Sequence, residues 1–176
     1  MRQSLLVIVV TVVTSVLPPA SCVAQQEDSS RVWGLLGADW MGVKGALAAG
    51  VQGELGYRMG RLCLGGRLLY ATEVDLIDWG HSETPRELFE VGPVVGVQYG
   101  WRFLKAQANI GVSLISGRLL EESAGSSTSA VGVPVEIGFF VAVRRRPRMI
   151  GIGMGGFGNL GVKSFGGMGV FLLVTR

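Results

Sequence analysis

Over residues 89–114 the chain alternates with a period of two. Phe89, Val91, Pro93, Val95, Val97, Tyr99, Trp101 and Phe103 form one apolar and aromatic row, and Glu90, Gly92, Val94, Gly96, Gln98, Gly100 and Arg102 form the other. Parity switches at Phe103-Leu104: Ala106, Ala108, Ile110, Val112 and Leu114 become the apolar set, facing Lys105, Gln107, Asn109, Gly111 and Ser113. Period two is the signature of a strand, and a parity switch across a tight turn predicts a hairpin. The second row is mostly glycine with scattered polar groups, too poor in charge for an ordinary solvated face. An apolar outside and a cramped, small-residue inside point to a strand pair in a bilayer.

The same alternation predicts strands over 32–41, 47–59, 62–71, 131–143, 150–154 and 168–174, making eight in all. Most approach the roughly 9–11 residues that a tilted strand needs to cross a bilayer. In 32–41 two parities compete. The one with Val32, Leu36, Ala38 and Trp40 outside is preferred because it puts Asp39 inside. Pro93 cannot donate to a ladder, so a rim position is expected for it, and 156–161 reads as a turn. The connections sort into two ends. Those at 58–61, 102–105 and 144–148 are tight and basic, whereas 73–87 is long and mainly acidic and 117–129 is long and Ser-rich.

Composition narrows the class. Hydrophobic residues make up 48% of the chain and mean hydropathy is +0.43. The longest uncharged run after the first segment, 149–162, is too short and too glycine-rich for a spanning helix. High hydropathy without such a helix leaves an over-rich soluble β core or a membrane barrel whose signal is spread over alternating strands. Residues 1–24 read as a cleaved signal peptide: Arg2, an apolar core over 5–17, the Pro18-Pro19 break, then Ala20-Ser21-Cys22-Val23-Ala24. Cleavage after Ala24 would leave 176 − 24 = 152 residues. A retained anchor is one alternative. Lipid attachment at Cys22 is another, with Pro19 standing where a lipobox usually carries an aliphatic residue. Residues 25–31 form a polar leader and 32–176 the barrel. The formal charge of +3 is no nucleic-acid signature. Beyond the signal only Cys63 remains, and with a single His no metal set is available, so neither metal nor cofactor is expected.

Parity places Glu54, Arg67, Glu90, Lys105 and Glu136 inside, with Gln52, Gln98, Gln107 and Asn109. An eight-stranded barrel is just wide enough for its own side chains, and buried charges must pair. These residues are therefore expected to form an ionic plug, with a narrow conduit or gate as the alternative. Trp40, Tyr57, Tyr70, Tyr99 and Trp101 lie near strand ends, where interface aromatics belong. Gly80-His81-Ser82-Glu83 brings Ser, His and a carboxylate together, but adjacent loop residues do not make a triad, and no Gly-x-Ser-x-Gly elbow is present. No catalytic residue is assigned, and the chain is expected not to be an enzyme. The arginines of 144–148 suit anionic headgroups better than nucleic acid.

On topology, loop asymmetry and alternation, the chain over 32–176 resembles the small eight-stranded outer-membrane β-barrels of diderm bacteria. The resemblance implies an all-β, antiparallel, up-and-down transmembrane barrel, monomeric, in the bacterial outer membrane, with both termini in the periplasm. Its partners would be outer-membrane lipid and an external protein or surface ligand reached through 73–87 and 117–129. Many such proteins end in an aromatic residue; this chain ends in Arg176. Two other functions stay open: a soluble periplasmic or secreted barrel binding a small apolar ligand, and a lipid-modifying barrel enzyme using His81 and Ser82.

Overall fold

The structure, a computed structural model, describes residues 32–43, 46–74, 86–101, 103–120, 128–145, 148–161 and 164–176. The signal peptide and leader expected over 1–31 lie outside these residues. Nine strand segments follow in order: β1 (Val32–Val43), β2 (Ala46–Met59), β3 (Leu62–Glu73), β4 (Glu87–Trp101), β5 (Leu104–Gly111), β6 (Ser113–Gly117), β7 (Thr128–Arg145), β8 (Arg148–Gly161) and β9 (Phe165–Thr175). A single 3-10 turn, Arg118–Leu120, precedes β7 among the described residues. All pairings are antiparallel; each segment pairs with its neighbours in sequence, except that β5 and β6 both lie between β4 and β7, and β1 also pairs with β9, so the sheet closes on itself. The result is an eight-stranded up-and-down barrel, because β5 and β6 are two halves of one stave. No described helix is long and apolar enough to cross a membrane.

The split between β5 and β6 has a simple chemical cause. β4 keeps one register against both halves: Val94↔Gly111 and Val91↔Leu114 each sum to 205, which places Pro93 opposite Val112. The Val112 N–H donates to the Pro93 oxygen at 3.2 Å, but proline has no N–H to return. β7 likewise keeps one register, Ile110↔Val135 and Ser113↔Gly132 each summing to 245, which places Pro134 opposite Gly111. Two prolines on flanking staves thus remove ladder donors at adjacent residues. Pro93 is therefore mid-strand, beside Gly66 of β3, and not at the rim as expected from its missing donor. The wall tolerates it because closure and the neighbouring bonds hold the register on both sides.

A second correction concerns 156–161. This run continues β8 without a bulge, pairing with both β7 and β9. Glycine hides the alternation there, but Phe157 and Asn159 point inward and are buried while Leu160 is exposed. For 32–43 the parity with Asp39 inside is the observed one: Asp39 is buried, and Val32, Leu36 and Trp40 are exposed.

The outer rows form a continuous apolar belt. Met168 is 70% exposed and Leu55 68%, with Leu36, Leu114, Val131, Ile152 and Val143 similarly bare. A soluble protein rarely presents so large an apolar surface, whereas a lipid-facing barrel wall requires it. Three connections at one end are hairpins of two residues, set by Met59↔Leu62, Trp101↔Leu104 and Arg145↔Arg148. In the first, Gly60 takes φ = 62°, the left-handed conformation that tight hairpins demand. At the other end lie the two long connections, between β3 and β4 and between β6 and β7.

Close strand approach makes particular glycines obligatory. A Cβ on Gly92 would lie 2.0 Å from the Val112 carbonyl oxygen, a backbone atom that cannot swing away, whereas at Gly53 nothing lies within 4 Å. Gly92→Val should therefore destabilise the barrel by about 1–3 kcal/mol, and Gly53→Val should fall within about 0.5 kcal/mol of the parent. Urea midpoints of the folded, heat-modifiable band in detergent micelles will check the contrast.

Candidate functional site

The lumen is built by the inward rows of all eight staves. Its centre is charged and polar. Glu54 of β2, Arg67 of β3, Glu90 of β4, Asn109 of β5 and Glu136 of β7 all face inward and are at most 6% exposed. Arg67 is the hub. Its Nη2 donates to Gln52 Oε1 at 3.1 Å and lies 3.8 Å from Glu90 Oε2. Its Nη1 lies 3.9 Å from Glu136 Oε2, and the guanidinium sits over the Phe157 ring, 5.4 Å from its centroid.

Amides tie the carboxylates together. Gln52 donates to Glu136. Asn109 Nδ2 donates to Glu54 Oε2 at 2.7 Å. Asn159 Nδ2 donates to Glu90 Oε1 at 2.6 Å and to Ser113 Oγ at 2.8 Å. Every one of these bonds crosses from one stave to another, so the network braces the cylinder from within. It leaves polar atoms over: Glu54 Oε1, Asn109 Oδ1, Glu136 Oε1 and both Asp39 oxygens are buried and meet no hydrogen-bond donor among the described residues, and the donors Arg67 Nε and Gln107 Nε2 meet no acceptor there. A second chain runs nearer the hairpin end, where Arg58 Nη1 donates to Gln98 Oε1 at 2.9 Å and Gln98 Nε2 to Gln107 Oε1 at 3.2 Å. Arg58 is thus a lumen residue, not a member of the outer basic rim.

Four of the five expected interior charges, Glu54, Arg67, Glu90 and Glu136, are in or beside the Arg67 cluster. Lys105 faces inward but is only half-buried, packed across Gly100 at the hairpin end, where a Cβ on Gly100 would meet its Nζ at 2.3 Å. Sequence reasoning missed Asn159 and Phe157 because 156–161 read as a turn. The period-two placement of those two residues among glycines was the available signal.

Large buried apolar side chains flank the polar layer on both sides. Toward the hairpin end Trp33, Phe140, Phe171 and Leu173 are almost fully buried; toward the loop end Met41, Leu88, Ile115 and Leu119 are. The rings need the glycines opposite them: a Cβ on Gly37 would lie 2.3 Å from Phe171 Cδ1. Leu119 belongs to 117–129, so this connection begins by inserting into the barrel mouth before the residues beyond it. At the base of the acidic loop Arg86 Nε donates to Glu73 Oε2 at 2.7 Å, and the Glu73 N–H donates to the Arg86 oxygen at 2.9 Å. Residues 75–85, which include Gly80-His81-Ser82-Glu83, lie outside the described residues.

The aromatics expected at the interfaces all lie on the outward rows. Trp40 and Tyr70 sit toward the loop end, and Tyr57, Tyr99 and Trp101 toward the hairpin end. The Tyr99 ring carries the Arg61 guanidinium 5.0 Å from its centroid. Cys63 is inward and buried, a small apolar residue on a strand. No cluster of three metal-ligating side chains occurs among the described residues.

Removal of Arg67 would take away the guanidinium that lies within 4 Å of both buried carboxylates, Glu90 and Glu136. Arg67→Met should cost about 3–5 kcal/mol, and adding Glu90→Gln should recover part of that loss. A double-mutant cycle on urea unfolding in micelles measures the coupling.

No protein-family model matches the chain, and no curated protein matches it significantly in sequence. Among solved structures it is similar to Neisserial surface protein A, with a TM-score of 0.58 and 15% identity over 82% of this chain and 96% of that one. It is also similar to the N-terminal β-barrel domain of Pseudomonas aeruginosa OprF, with a TM-score of 0.49 and 14% identity over 84% and 98%. A third is Ail, the attachment invasion locus protein of Yersinia pestis, with a TM-score of 0.47 and 12% identity over 83% and 96%. The fold is that of the small eight-stranded outer-membrane barrels.

Proposed function

We propose that the protein is a non-enzymatic barrel of the bacterial outer membrane. Its lumen is plugged by its own side chains, and its loops over 73–87 and 117–129 serve envelope integrity, adhesion or contact with an external partner. One observation supports this: an apolar belt encloses inward rows whose charged and polar side chains are buried and bonded from stave to stave. A wall that is apolar outside and polar within suits lipid around it, and inward side chains that bond to one another across the lumen favour a plug over a ligand cavity. Specific recognition then falls to the long connections at one end. The hairpin end, with both strand termini, faces the periplasm in this reading.

The soluble ligand-binding alternative needs the opposite arrangement, an apolar interior and a wet surface; the exposed apolar rows and the buried charges of the inward rows weigh against it. The lipid-modifying alternative rests on His81 and Ser82 alone, and nothing in the described geometry adds a partner to them.

The expressed protein is expected to sediment with outer membranes, resist carbonate extraction and run at a different apparent mass when unboiled. A detergent-free soluble monomer would overturn the assignment. In planar bilayers the parent should show no steady conductance, and Glu90→Ala or Arg67→Ala should show openings. Steady conductance in the parent would contradict the plug.

A further inference from the structure

The strand register brings together arginines that are far apart in the sequence. Arg148 of β8 pairs with Arg145 of β7. On its other side β8 runs against β9 with Met149↔Thr175, so the next residues outward, Arg148 and Arg176, also stand opposite each other. Arg148 and Arg176 continue the lipid-facing rows of Ile150, Ile152 and of Leu172, Val174, and both are exposed. The Arg176 main-chain oxygen is occupied, since it accepts from the Val32 N–H at 2.9 Å. The outward neighbours of this row are Val32, Val143, Ile150 and Val174, whose side chains are uncharged, and the Arg176 α-carboxylate sets one negative charge against two guanidiniums.

Like charges directly across a ladder repel one another. Two exposed guanidiniums about 5 Å apart at the backbone, at the polar edge of an apolar belt, are stabilised by an anion that also belongs at that depth. The acidic side chains of the described barrel are elsewhere. Asp39, Glu54, Glu90 and Glu136 are in the lumen, and Glu73 and Glu87 are at the loop end. A phosphodiester matches on both counts. Its oxygens fit the guanidinium fork, and a lipid places it at the edge of the hydrocarbon where Arg148 and Arg176 emerge. We propose that Arg148 and Arg176 form a cross-strand site for the phosphate of an anionic phospholipid in the leaflet at the hairpin end. This rests on the membrane-barrel reading and adds a lipid class and a location to it.

The refolded full chain is placed in phosphatidylcholine vesicles with and without phosphatidylglycerol, and folding is first verified in each by the band shift of unboiled samples. Failure to fold in any bilayer would count against the barrel reading itself, separately from the lipid site. Spin-labelled analogues of the two lipids then report the composition of the boundary shell. At low salt the parent should favour phosphatidylglycerol by roughly fivefold, the preference should fall with added salt, and Arg148→Gln/Arg176→Gln should bring it near parity while the band shift persists. Equal affinity for both lipids in the parent, or an unchanged preference in the double variant, overturns the proposal. Loss of the preference on adding millimolar inorganic phosphate at constant ionic strength would mean free-anion binding and would equally overturn the lipid assignment.

Discussion

Within hydrocarbon, a main-chain N–H or C=O has no water to fall back on. That constraint governs the rest of this molecule. It forces the sheet to close through the β1–β9 pairing, it sets strand lengths near the bilayer thickness, and it leaves side chains to divide between lipid and lumen by parity alone. The unusual feature is that the wall is allowed two defects, where Pro93 and Pro134 withhold donors on either side of Gly111 and Val112. Such defects are tolerable only in a cylinder whose remaining ladder is unbroken and whose interior adds bonds of its own.

That interior is layered. Buried aromatic and aliphatic groups lie toward each end, and the polar layer between them is tied from stave to stave by amides and by Arg67. Net gain from such buried ion pairs is commonly small, because desolvation offsets much of the attraction. Their bearing on register is more direct, since Glu54, Glu90 and Glu136 each accept from an amide on a different strand.

Much of this was legible in the sequence because alternation is a strong signal wherever the outward residue is large. Leu47, Val51, Leu55, Tyr57 and Met59 announce β2 without ambiguity, and Gln52, Glu54 and Arg58 follow as its inward row. Legibility fails where glycine occupies both rows. In 156–161 the outward residues include Gly156 and Gly158, so the pattern that would have exposed Phe157 and Asn159 disappears, and with it two contacts of the central network. Pro93 misled for a related reason. The rule that proline avoids central strands is local, whereas its placement here depends on support from staves distant in the sequence. The long acidic connection offers no periodicity at all, so its role cannot be drawn from pattern.

Asn159 has a consequence beyond its hydrogen bonds. A strand as glycine-rich as β8 could slide by two residues against its neighbours and still keep every side chain on the correct face, and glycines would present little steric objection to the slip. Asn159 does object: displaced by two positions, its amide would leave both Glu90 and Ser113, on staves across the lumen. The polar layer thus fixes the register of β8: one notch, marked by Asn159, keeps both of these bonds.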